Sequence, residues 1–63
     1  MCMVTLYKNS VNEENKIMGD IERYKFDMAS GKLIVYPMLK DPQEFKITKG
    51  ISWDEKNDSM IIE

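Results

Sequence analysis

The amino-acid sequence predicts an all-β protein in a single domain covering residues 1–63. Three observations carry that expectation. Short stretches rich in β-branched and aromatic residues recur along the chain, turn-forming residues separate them at intervals of roughly eight to twelve positions, and apolar and polar residues alternate within several of them with the period of a pleated strand.

The first stretch, "MVTLYKN" at 3–9, reads as a strand, and the polar "SVNEENK" after it as its exit. In "GDIERYKFDM" the residues Tyr24, Phe26 and Met28 alternate with Lys25 and Asp27, which gives a second strand with one buried face. Ser10 and Glu13 also form a capping-box pattern, and Ile17, Ile21, Tyr24 and Met28 follow at helical spacing. Gly19 interrupts that helix, and the alternation after it favours the strand. "ASGK" turns the chain into "LIVYPML" at 33–39, which is apolar on both faces, so one face meets the core and the other a partner. Pro37 lacks a ladder donor and marks an edge or a bulge. "KDPQ" is the next turn, and "EFKITK" alternates again with Phe45 and Ile47 on one face. Gly50 allows a bend before "ISW", and "DEKND" with "SMIIE" closes the chain as a hairpin ending at Glu63. About six to seven short strands in so small a chain point to a barrel of the SH3-like or Sm-like kind.

At 63 residues the chain is in the range where folding buries only about 60% of the unfolded surface. Its single cysteine closes no internal disulfide, and with no histidine there is no standard zinc-finger ligand set. A homodimer is the natural remedy for so small a core. No stretch reads as a signal peptide or is long and apolar enough to cross a bilayer, and a free thiol suits a reducing compartment, so the expected location is the cytoplasm, away from membranes.

Nine basic against eleven acidic residues give a formal net charge of -2. The lysines are scattered, which is not the clustered basic footprint of a nucleic-acid domain. Catalysis is not expected either. The sequence offers no histidine, no carboxylate pair at useful spacing, no glycine-rich phosphate loop and no base beside the thiol to hold it as thiolate.

What remains is Cys2. In "MCMVTLYKN" it stands directly ahead of the first strand, where both its sulfur and its main-chain nitrogen are free of a ladder. Thiolate and nitrogen on one residue close a five-membered chelate ring, and the amine of Met1 lies one residue away. Divalent nickel accepts a square-planar field of nitrogen and thiolate sulfur and stands high in the order of divalent affinities. Zinc, which takes four tetrahedral side-chain ligands, suits one cysteine per subunit less well. A cysteine is also often a small buried hydrophobe. Of the six methionines, Met3, Met18, Met28, Met38 and Met60 read as core fillers, and Asp20, Glu22 and Asp27 as a solvated face.

The start "MCMVTLYKN", "MGDI" at 18–21 and the terminal "WDEKNDSMIIE" together resemble the CooT family of small nickel-binding proteins, associated with maturation of carbon monoxide dehydrogenase. The likeness runs over nearly the whole chain and departs at "YPMLKDPQEF", where two prolines stand. It implies a β-barrel homodimer with one Ni(II) shared at the two-fold axis, Cys2 as its ligand, and an accessory role of metal storage or delivery to a nickel enzyme or its maturation proteins. The alternative is a small β-barrel that binds RNA, since "RYKF", "EFK" and Trp53 interleave rings with cations. Arg23, Lys25 and Lys46 would then be the contacting cations. The bland reading of Tyr24, Phe26, Phe45 and Trp53 is that they fill the core.

Overall fold

The structure is a computed structural model that describes residues 3–63. It is all-β. Six strands, β1 (Val4–Lys8), β2 (Lys16–Asp27), β3 (Lys32–Pro37), β4 (Gln43–Lys46), β5 (Ile51–Asp54) and β6 (Ser59–Ile62), form one sheet in the order β4-β3-β2-β1-β6-β5. Every neighbouring pair is antiparallel except β1 and β6, which run parallel. Two single 3-10 turns, Glu13–Asn15 and Glu55–Asn57, fill connections that the sequence marks as loops. The helix that the capping-box pattern offered over residues 10–28 is not formed. Ser10 instead accepts a hydrogen bond from the Asn15 side chain at 2.9 Å within the loop, and β2 follows.

Strand β2 decides the shape. Its first half, up to Ile21, pairs with β1, and its second half, from Ile21 onward, pairs with β3. Between Val4 and Leu6 the partner advances from Ile21 to Met18, between Leu6 and Tyr7 from Met18 to Lys16, and Glu22 is an extra residue opposite β3. Each such bulge bends its strand and increases twist. Asp20, at φ 52°, is left-handed at the bend. A strand that changes partners through bulges is how one sheet folds over on itself.

The curl is measurable. In a flat sheet β2 and β5, three positions apart, would lie about 14 Å from each other, yet the rings of Tyr24 and Trp53 have centroids 5.2 Å apart at an interplanar angle of 55°. The curl stops short of a closed ladder, because β4 and β5 remain the two unpaired edges. The connector between them, residues 47–50, lies across one end of the sheet. The Ile47 N–H donates to the Gly31 carbonyl at 2.8 Å, and the Glu63 N–H donates to the Gly50 carbonyl at 3.1 Å.

Inside the curl sit Leu6, Ile21, Leu33, Val35, Met60 and Ile62, all 3% exposed or less. Val4, Ile17, Met18, Phe45, Ile47 and Ile51 pack against them. Ser59 is buried with them, its hydroxyl satisfied by donating to the Asn57 carbonyl at 2.9 Å. Pro37 ends β3 beyond the reach of β4, opposite the bulged part of β2, so its missing donor costs no ladder bond.

Several expected core residues are at the surface. Met28 is 83% exposed and Met38 39%, because both lie in turns past the ends of β2 and β3. Tyr24, Phe26 and Trp53 are 47%, 43% and 46% exposed, so the core is aliphatic and of the four expected aromatic fillers only Phe45 packs on it.

Candidate functional site

Met1 and Cys2, the expected nickel ligands, lie outside the described residues. The chain they lead into is described: Val4 opens β1 in the middle of the sheet, paired with Ile21 of β2, and the Thr5 N–H donates to the Asp58 carbonyl at 3.2 Å on the β6 side. Among the described residues no group of three cysteine or acidic side chains is placed to hold a metal ion.

Asp20 and Glu22, expected on a solvated face, are exposed at the bend of β2. Asp27 has a structural task, since its Oδ1 accepts the Ala29 N–H at 3.1 Å and the Ser30 N–H at 3.4 Å and so shapes the β2–β3 turn. Hydrogen bonds from the Ser30 side chain and main chain, followed by that of Ala29 and the nearby Lys25, hold the Asp27 carboxyl below its ordinary 3.8. Gly31, at φ 66°, completes this turn in a conformation other residues resist.

The register settles how the other expected site residues are arranged. Arg23 is opposite Tyr36, Lys25 opposite Ile34, and Asp27 opposite Lys32; Lys32 is in turn opposite Lys46, and Ile34 opposite Glu44. Cross-strand partners share a face. Arg23, Lys25 and Lys46, the cations named for RNA contact, therefore come together on one face of β2, β3 and β4, with Lys32 among them. Sequence reasoning missed Lys32, which it left in the turn "ASGK", whereas β3 begins at that residue.

The same register separates those cations from the rings. Tyr24 is opposite Val35 and Phe26 opposite Leu33, which in turn faces Phe45, so these rings stand on the core side of the sheet. The interleaving in "RYKF" is a consequence of strand alternation: a period of two sends rings and cations to opposite faces. On the cation face the one ring is Tyr36, and the Arg23 guanidinium lies over it at 4.6 Å.

Strand β3 is two-sided as expected, with Leu33, Val35 and Pro37 buried and Ile34 and Tyr36 half-buried on the outer face. A charge at Val35 would therefore test the core and not a partner face, while Tyr36 remains an outward position.

No family model, curated protein or solved structure matches this chain.

Proposed function

We propose that this protein is a cytoplasmic nickel-binding accessory protein, a homodimer that holds one Ni(II) between its subunits and stores it or hands it to a nickel enzyme or its maturation machinery. The observation that carries this reading is the place of Cys2, the one thiol of the chain, two residues ahead of the first strand. The likeness of "MCMVTLYKN", "MGDI" and "WDEKNDSMIIE" to the CooT family supports it. The Cys2 thiolate and one main-chain nitrogen, of Cys2 or of Met1, taken from each of two copies, make a four-donor set of the soft and planar kind that nickel accepts. Because the ligands bind deprotonated, loading releases protons and weakens as pH falls.

The fold fits in two respects. Its six strands curl towards the small barrel that the likeness implies, with Tyr24 of β2 reaching Trp53 of β5. Half-exposed rings at Tyr24, Phe26 and Trp53 leave apolar surface for a second copy to cover. No helix among the described residues is long and apolar enough to cross a membrane. RNA binding is the weaker reading, because the stacking rings and the phosphate-seeking cations do not share a face.

Nickel titration of the purified chain beside its Cys2→Ser variant tests the proposal. The expected result is one nickel per two chains, with thiolate charge-transfer absorption that the variant loses. Equal binding by the two proteins would remove Cys2 from the site and end this reading.

A further inference from the structure

We infer that the outer face of β2, β3 and β4 is a docking surface for an acidic, extended polypeptide segment of a partner protein. The inference goes beyond the nickel reading and does not depend on it.

Charge is distributed unevenly. The chain as a whole carries nine basic and eleven acidic residues, whereas this face carries Arg23, Lys25, Lys32 and Lys46 against Asp27, Glu44 and, at the β2 bulge beside Arg23, Glu22. Asp27 and Glu44 are engaged within the chain. Glu44 Oε1 lies 3.4 Å from Lys32 Nζ, and Asp27 accepts main-chain N–H groups of its own turn. Arg23, Lys25 and Lys46 have no ion-pair partner among the described residues. The surface is thus net positive on a protein that is net negative, which orients an acidic partner towards this one face.

Geometry narrows the partner further. Arg23 and Lys25 stand on the same face two residues apart, about 7 Å along the strand. That spacing equals the distance between alternate side chains of an extended segment, so acidic residues at every second position meet both cations. The Arg23 guanidinium lies over the Tyr36 ring, 4.6 Å from its centroid, and a guanidinium so placed still has N–H groups to offer a carboxylate. Ile34, half-buried beside Lys25, offers apolar area to the residues in between. A nucleic acid would also meet these cations, but its bases need open rings, and those stand on the other face.

The test uses the full chain and a fluorescein-labelled peptide of alternating Glu and Ser, read by anisotropy at low and rising salt. The Arg23→Glu/Lys25→Glu/Lys46→Glu variant is compared with Lys40→Glu/Lys49→Glu/Lys56→Glu, which makes the same change in net charge at exposed positions elsewhere. The face variant is expected to lose about tenfold or more in affinity, and the control to change by less than about threefold, by the usual size of surface charge pairs. Circular dichroism of both variants verifies that each is folded. Three results overturn the inference: equal losses in the two variants, no measurable binding by the parent protein, or tighter binding of a single-stranded RNA of the same charge.

Discussion

Two neighbouring strands present the same face to the same interior, and only one of them is buried. Leu33 and Val35 of β3 are fully covered, while Phe26 and Tyr24, their direct partners on β2, remain 43% and 47% exposed. Alternation decides which face a side chain takes. How deep it lies depends on what crosses above it, and here the covering side chains are Leu6, Ile21, Met60 and Ile62, which do not extend over the far half of β2. Stability is therefore expected to be concentrated on β3. Val35→Asp places an unpaired charge where nothing answers it and should unfold the chain at room temperature, a loss of about 4 kcal/mol or more. Leu33→Ala should cost about 2–5 kcal/mol. Urea denaturation followed by circular dichroism reads both, and a folded Val35→Asp protein would contradict the assigned core.

On β2 the same kind of truncation should matter far less. Tyr24→Ala removes a half-exposed ring and its tilted contact with Trp53, an interaction worth about 0.5–1.5 kcal/mol beyond area burial. Trp53 is the one tryptophan of the chain, so its emission reports this contact directly. The expected result is a small shift of the urea midpoint with a clear change in tryptophan fluorescence. A loss equal to that of Leu33→Ala would mean that Tyr24 is covered in solution, by a second copy or otherwise, and repeating the measurement at several protein concentrations separates those cases.

This contrast also explains what could be read from the sequence. The "LIVYPML" run, the "EFKITK" alternation and the turns at "ASGK" and "DEKND" locate strands and connections, with β3 ending two residues and β4 three residues before the runs do, because period and turn chemistry are local properties. Pro37 is placed correctly beside a bulge for the same local reason. The parallel pairing of β1 with β6 and the three irregularities of β2 are not legible, since they follow from closing the chain on itself. Burial falls short of expectation where the face is right but the cover is incomplete, as at Tyr24, Phe26 and Trp53, all still more than 40% exposed although Tyr24 and Trp53 touch each other. Cys2 is legible as chemistry alone, from residue type and position. The cation face needed the register: Arg23, Lys25 and Lys46 stand in two distant segments, and only pairing through β3 brings them together.

The smallest expected effect sits at the turn joining the two contrasted strands. The Asp27 carboxylate is stabilised in the folded chain chiefly by the Ser30 hydrogen bonds, so its folded pKa lies below the ordinary 3.8. A carboxylate with a lowered pKa binds fewer protons folded than unfolded, so its contribution is present above the unfolded value and is lost as pH falls through the folded one. Asp27→Asn keeps a side-chain oxygen for the Ala29 and Ser30 N–H groups but carries no charge. Melting temperatures of parent and variant should therefore differ slightly at neutral pH, with the parent higher, and converge as the pH is taken well below 3.8. A difference that stays constant with pH would assign the effect to turn geometry and not to the ionised carboxylate. Raising the salt concentration at neutral pH makes a further distinction: the part owed to Lys25 should shrink, while the part owed to hydrogen bonds within the turn should persist.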